Sequence, residues 1–490
     1  MRTKLLVSLL TLILVLTLSS PAFAAKVKIV NGDGPGEGFN DPTPAALVGG
    51  NKGKTVGEQR QIAFQFAANI WGASLPANED FQIRVFSRFN PLSCTATSAV
   101  LGSAGAITVF SDFPGATFPA TWYGSALSNK LAGFDLFPGP KVLPGVDPNS
   151  FDARQFDDIN AQFNSSLGGT NPDGSPCFTG GGWYYGLDTN TPANRINLVV
   201  VLLHEFAHGL GFQSFVNSSN GAEFLGMDDI YERHLFDTTT ATYWNVMTNM
   251  QRATSATNFR RVVFDGANVT AAVPSVLSLG TPVLTVNSPG GIAGVYPIGT
   301  ASFGAALTSP GVTGDVMLVN DGVPVLTNGC EPLAAGSLTG NIALIDRGVC
   351  TFESKALRAQ TAGATAVIIG NNVAGTPPGL GDDATIPPGT VTIPTVSVSL
   401  ADRNTIVTAL GLGTVNATVG VNLTVRAGAD AAGRALIFTP NPVQGGSSVS
   451  HWDTIATPNQ LMEPSINADL THSVQSPQDL TLELLRDVGW

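Results

Sequence analysis

The sequence predicts an α+β protein in which one domain, built from two separated chain segments, is interrupted by a β-rich domain. Three observations predict it. An almost wholly apolar run, "NRINLVVVLLHEFAHGLGF", carries two histidines four residues apart near the middle of the chain. From about 275 to 425 the text changes to Val, Thr, Gly and Pro, with short strand-like runs around one amphipathic helix. After 426 strand- and helix-like text returns, bringing His451 and Met462 in one short stretch. At 490 residues the chain is too long for one ordinary core, so two or more domains are expected.

In chain order, Arg2 and Lys4 precede the apolar run "LLVSLLTLILVL", and "SSPAFA" follows with small residues at Ala22 and Ala24. A charged start, a short apolar middle and an A-x-A site make residues 1–24 a secretory signal peptide rather than a stable membrane anchor. The mature chain then starts near Ala25 and is secreted. Four cysteines, an even number in an exported chain, favour two disulfides. Of the three possible pairings, the two distant groups favour Cys94–Cys177 and Cys330–Cys350, one in each domain. A net charge of −12 with only 12% charged residues is unsuited to following a phosphate backbone, which excludes nucleic acid as a partner.

Residues 25–54 are rich in Gly and Pro and read as an extended N-terminal segment. The first domain segment, 55–274, opens with "GEQRQIAFQFAANIW", which places Ile62, Phe66, Ala67 and Ile70 on one helical face, and continues with "FQIRVFSRF", which alternates as a strand. Residues 91–190 predict short strands and long loops. The apolar run that follows is a helix buried on nearly every side. Pro192 suits its first turn and Gly209 or Gly211 its end, while Val199–Val201 leave a buried strand open for its first half. "MDDIYERHLFD" is a second, shorter helical candidate. In the second segment, 426–490, "GRALIFTPNP" reads as strand. "SPQDLTLELLRDVGW" reads as a closing helix, with Asp479 as N-cap and Leu480, Leu482, Leu484 and Leu485 on its apolar side.

Residues i and i+4 of a helix share a face, so His204 and His208 can hold one ion through ring nitrogens. Glu205, beside the first, can reach a water on that ion. Zinc suits this pattern: it takes three protein ligands and a water, and moves the water's pKa toward neutrality. Glu205 is then the general base for the water and the acid for the leaving amine. Three ionisable groups on one turn of an apolar helix would be costly to bury without such a partner, which argues against a chance arrangement. The third ligand is not adjacent, because the residue three places past Gly211 is Ser214, a poor zinc donor. His234, in polar "YERHLFD", reads as a solvated side chain, and His472 lies in loop-like "ADLTHSVQSP". His451 lies in "SVSHWD" and is followed eleven residues on by Met462, in the turn-like "NQLMEP".

On these residues the chain resembles the metzincin zinc proteases. Among them it resembles the leishmanolysin-like family, in which a long insertion separates "HExxHxxGF" from an "SHW" histidine followed by a methionine turn. The resemblance covers 195–214 and 445–466, and more loosely the closing "LLRDVGW". It implies a metzincin-like catalytic domain in two segments, one catalytic Zn2+ ion, His451 as the third ligand and Met462 as the Met-turn. The chain departs from that family in its low cysteine content and shows no pro-segment with a cysteine switch. Inside the β-rich block, "GNIALIDRGVCTFESKALRAQTAGATAVIIGNN" resembles the protease-associated (PA) domain. That resemblance implies substrate or partner binding, and no chemistry from Asp346, Arg347 or Cys350. Asp382 and Asp383, in "GLGDDAT", read as a solvated loop rather than a cation site.

The reading that results is a secreted zinc-dependent metalloendopeptidase acting on protein or peptide substrates through a zinc-activated water, with Glu205 as general base and acid. Two other classes compete. One is a catalytically inactive metzincin-fold binding protein acting through its PA domain, against which intact His204, Glu205 and His208 argue. The other is a zinc amidase on cell-wall peptides.

Overall fold

A computed structural model describes residues 23–77, 81–138, 156–324 and 326–490. Nearly all of the leader read in residues 1–24 lies outside the described residues. One hydrophobic core gathers side chains from Ala25 to Leu277 and again from Ala429 to Trp490. Two smaller cores, on the faces of a single sheet, draw on residues between Leu284 and Val419.

The larger body is built around a four-stranded sheet in the order Lys26–Asn31, Gln82–Asn90, Ile159–Asn164, Gly102–Ala106. The first three strands run parallel, and Gly102–Ala106 is an antiparallel edge. Gln82–Asn90 alternates buried and part-buried residues, as "FQIRVFSRF" predicts. Lys26–Asn31 lies in a segment read only as extended; its short K-V-K-I-V alternation was the available signal. Two helices pack on this sheet. Val56–Ser74 starts with a capping box between Thr55 and Glu58. Its buried face is Ala63, Phe64, Ala67, Ala68 and Trp71, so three of the four residues read as the face, Ile62, Phe66 and Ile70, are only partly buried. The buried face thus alternates small alanines with the two large rings of Phe64 and Trp71, while Ile62, Phe66 and Ile70 lie at its flank.

The helix Leu198–Leu210 is buried along its whole length. It begins not at Pro192 but where the Asn197 side chain accepts the backbone N–H groups of Val199 and Val200. Val199–Val201 are therefore helical rather than strand. Gly209 lies directly on the sheet: a Cβ there would come within 2.4 Å of the Ile159 side chain. Gly211 ends the helix at φ 130, a conformation glycine alone adopts readily.

The stretch "MDDIYERHLFD" is not a helix. It folds as a two-residue strand Asp228–Asp229, a turn, a 3-10 segment Glu232–His234 and a strand Leu235–Asp237. The cause is Asp229, whose buried carboxylate accepts the N–H groups of both Phe215 and Glu232 and so turns the chain. At the other end of the chain, the closing helix is Thr481–Val488, with Leu480 at its N-cap position. Asp479 sits one residue earlier and still accepts the Thr481 N–H at 2.8 Å.

The second body is an eight-stranded sheet in the order Gly294–Tyr296, Leu279–Ser288, Asn416–Arg426, Val312–Leu318, Ile342–Asp346, Ala366–Gly370, Thr395–Val398, Gly299–Thr300. The four strands from Val312–Leu318 to Thr395–Val398 are parallel, and the apolar text of the two central ones, Ile342–Asp346 and Ala366–Gly370, reflects burial on both faces. Helices Phe352–Thr361 and Leu400–Leu410 belong to this body, the second without having been read from the sequence. Leu279 pairs with Arg426, so the chain enters and leaves this body side by side.

Candidate metal centre

The helix Leu198–Leu210 presents His204, Glu205 and His208, and all three are buried. Indole N–H groups fix its position. Trp71 donates to the Leu203 carbonyl at 3.1 Å, and the C-terminal Trp490 donates to the Leu210 carbonyl at 2.6 Å. His451 arrives from the second half of the chain. The segment bearing it is laced to Phe438 by backbone bonds on both sides, and Trp452 N–H donates to the Met462 carbonyl at 2.8 Å.

The three imidazoles converge. His204 Nε2 lies 3.2 Å from Nε2 of His208 and 3.2 Å from Nε2 of His451. Each ring's other nitrogen donates to a backbone carbonyl: His204 Nδ1 to Leu461 at 2.7 Å, His208 Nδ1 to Phe212 at 2.8 Å, His451 Nδ1 to Ser447 at 2.8 Å. A nitrogen facing a carbonyl must carry the proton, so every Nε2 carries a lone pair. Burial, with the His208 ring beside it, pushes His204 down to about 3. Burial alone pushes His208 down to about 4, and burial with the other two rings takes His451 well below the usual range. Three neutral donors with lone pairs aimed at one point repel one another unless a cation lies between them. Ligands about 2.0–2.1 Å from a tetrahedral ion are spaced about 3.3 Å apart, close to the spacing seen. The donor set therefore fits a divalent ion such as zinc.

Glu205 stands at the edge of this cluster. Burial pushes its carboxyl up to about 8, and a hydrogen bond from the Ala104 backbone N–H works in the opposite direction. Ala104 belongs to the edge strand Gly102–Ala106, whose Gly102 has room for Glu205 only because it lacks a Cβ.

Ser214 is not in the cluster. Its Oγ donates to Asp229 at 2.9 Å, and its N–H donates to Ser450 Oγ at 3.2 Å, beside His451. Met462 is fully buried in the turn whose Leu461 carbonyl receives His204. That turn is held by the C-terminal segment: Asp479 accepts the Leu461 N–H at 2.6 Å and Gln460 accepts the Leu480 N–H at 3.0 Å. His234 does not join the other three and is not solvated either. It is partly buried, stacked on Phe264 with ring centroids 5.0 Å apart. His472 lies elsewhere too, edge-on to Phe66. The functions of Leu461 and Asp229 carry no sequence signal, because one acts through its backbone and the other through a fold-dependent turn.

The cysteines pair as Cys94–Cys177 and Cys330–Cys350. Asp383 accepts hydrogen bonds from Thr351 and Thr385. Among the described residues one further cluster, the acidic Glu223, Asp228 and Glu232, is already filled by the chain's own cations. Arg252 lies 2.6 Å from Glu223 and 3.4 Å from Glu232, and Arg233 lies 2.7 Å from Asp228.

Comparison with known proteins matches residues 312–406 to the PA domain. A stretch of 85 residues is 39% identical to "Probable leucine aminopeptidase 2" of Aspergillus fumigatus, covering 17% of this chain and 17% of that protein. Among solved structures, an aminopeptidase from Aneurinibacillus sp. strain AM-1 aligns at 23% identity and a TM-score of 0.23, over 30% of this chain and 31% of that one. A zinc aminopeptidase from Bacillus subtilis aligns at 22% identity and a TM-score of 0.23, over 31% and 35%. The chain thus spans about a sixth of the curated relative and about a third of these structures. Over 312–406, the sheet and the Phe352–Thr361 helix are those of a PA domain.

Proposed function

We propose that this protein is a secreted zinc-dependent metalloendopeptidase. Its metzincin-type catalytic domain is formed by residues 55–274 and 426–490, with the PA domain inserted at 275–425. The observation that carries this reading is the convergence of three Nε2 atoms, from His204, His208 and His451, beside the buried carboxyl of Glu205. His204, His208 and His451 would hold a zinc ion, which would supply carbonyl polarisation and a more acidic water. Glu205 takes the proton of the attacking water and returns it to the leaving amine nitrogen. The Ala104 N–H holds the carboxylate in place.

The edge strand supports a peptide as substrate. Gly102–Ala106 pairs with Ile159–Asn164 on one side, and no other described strand covers its second edge. A peptide added along that edge gains main-chain hydrogen bonds and brings its carbonyl beside Glu205. The curated relative is an aminopeptidase by name. Its 85 aligned residues are fewer than separate His204 from His451, so that similarity does not reach the whole histidine centre. Two disulfides suit an oxidising compartment. No helix among the described residues is long and apolar enough to cross a membrane.

The test is hydrolysis of casein and of a peptide blocked at both termini, before and after chelation and again after zinc is restored. Internal cleavage that disappears with the chelator and returns with zinc is expected. Release of single residues from free N-termini, with the blocked peptide untouched, would instead favour an aminopeptidase, and no cleavage of either would favour a binding protein.

A further inference from the structure

Arg260 bonds both to the β-rich body and to the segment that carries the third histidine. Its backbone takes φ 56, a left-handed conformation in which an arginine is strained, and its side chain is turned into the molecule. Nε donates to Asp453 Oδ1 at 3.0 Å, and Nη1 donates to the Ile298 carbonyl at 2.8 Å. These partners belong to different bodies. Ile298 is fully buried in the core of the eight-stranded sheet. Asp453 has a completely buried side chain and lies two residues past His451.

The Asp453 end of this link is tightly built. Asp453 Oδ1 also accepts the Ile455 N–H at 3.0 Å, and the Asp453 N–H donates to Leu436 at 2.9 Å. Its second oxygen is buried without a hydrogen-bond partner, so the guanidinium is the cation that makes this carboxylate tolerable. The short path Ile298–Arg260–Asp453–Trp452–His451 thus runs from the core of one body to a ring of the histidine cluster. We propose that Arg260 is a positioning residue that holds the His451 segment against the PA-domain body, so that the seating of that body sets the affinity of the metal site. This rests on the reading of His451 as a ligand.

A merely structural role would be to neutralise Asp453, and the test separates the two. The full chain is prepared as wild type, Arg260→Met, Arg260→Met with Asp453→Asn, Arg260→Lys and His451→Ala. Zn2+ affinity is read by competition with a chromophoric chelator, the d–d spectrum by Co2+ loading, and thermal stability alongside. Loss of a residue behind a ligand typically weakens metal binding by about 10–100-fold. Arg260→Met should show a loss of that order and a lower Tm. The double variant, freed of the buried charge, should recover Tm but keep the weakened Zn2+ affinity and an altered Co2+ spectrum. Arg260→Lys, which cannot span both partners, should fall between. A double variant that recovers stability, wild-type Zn2+ affinity and the wild-type spectrum together would overturn the proposal, and it does so even if Arg260→Met alone fails to fold. Zn2+ affinity unchanged in His451→Ala would instead overturn the ligand assignment beneath it.

Discussion

Gly102→Ala tests the placement of Glu205 without touching a histidine. A Cβ at residue 102 meets Glu205 Oε1 at 2.9 Å, Glu205 Cγ at 3.0 Å and the Gln162 carbonyl at 3.1 Å. Ordinary contact begins near 3.4 Å, so the carboxylate or the edge strand must give way by about half an ångström. Gly102 is not in the left-handed region, so alanine adds no backbone strain and the collision is the whole effect. Overpacking of this kind costs about 1–3 kcal/mol of stability. A catalytic group displaced by up to about 1 Å can lose ~10²-fold in rate. The expected result is a fall in kcat/KM of about 10–100-fold, a modestly lower Tm and unchanged zinc content. Gly105→Ala is the control, because its Cβ meets only the amide end of Gln213, at 2.9 Å. The assay is initial-rate hydrolysis of a blocked peptide, with zinc measured on the same preparations. Wild-type kcat/KM in Gly102→Ala would refute the packing of Glu205 against the edge strand as the feature that positions it.

Three further outcomes follow from the same geometry. Glu205→Gln should keep its metal and lose about 10²–10⁴-fold in turnover, read from zinc content and single-substrate rates. Arg252→Met should lower the urea midpoint, since Arg252 is 2% exposed and its guanidinium serves the Gly221, Trp244 and Met247 carbonyls as well as Glu223, groups that would lose their partner together. Burial raises Asp158 from 3.8 to about 7 and Glu463 from 4.5 to about 8, so the folded chain holds more protons than the unfolded one between those limits. Their contribution to stability is complete below about 4 and is lost as pH rises through about 7 to 8, so Tm should fall from pH 5 to 9, and Glu463→Gln should flatten that slope.

The parts of the fold legible in the sequence are those where periodicity and burial coincide. The helix Leu198–Leu210 and the strand Gln82–Asn90 announce themselves because most core-facing positions are apolar, the exceptions being Ser87 in the strand and the site residues His204, Glu205 and His208 in the helix. The cysteine pairs were also readable, because partners lie in the same body. The edge strand Gly102–Ala106 was not readable, since "GSAGA" has no β-forming residue and becomes a strand only by pairing with Ile159–Asn164. The face of Val56–Ser74 was misread because three of its five buried apolar positions are alanines, whose weak hydrophobic signal does not outweigh Ile62, Phe66 and Ile70 one position away. "MDDIYERHLFD" has helical spacing, but the turn is made by a carboxylate bonding backbone from two places, which spacing does not encode. At the site, the order of Gly211, His451 and Met462 is written in the chain, whereas the carbonyls that fix the three rings are backbone groups and leave no mark on residue identity.

The central claim is that His451 completes a zinc site with His204 and His208. The most direct test is zinc stoichiometry after dialysis against a weak chelator, with peptidase rate beside it, for wild type, His451→Ala, His234→Ala and His472→Ala. Wild type, His234→Ala and His472→Ala should each retain about one ion per chain and their activity, and His451→Ala should lose both. A fully metallated, active His451→Ala protein would contradict the account at the residue on which it depends.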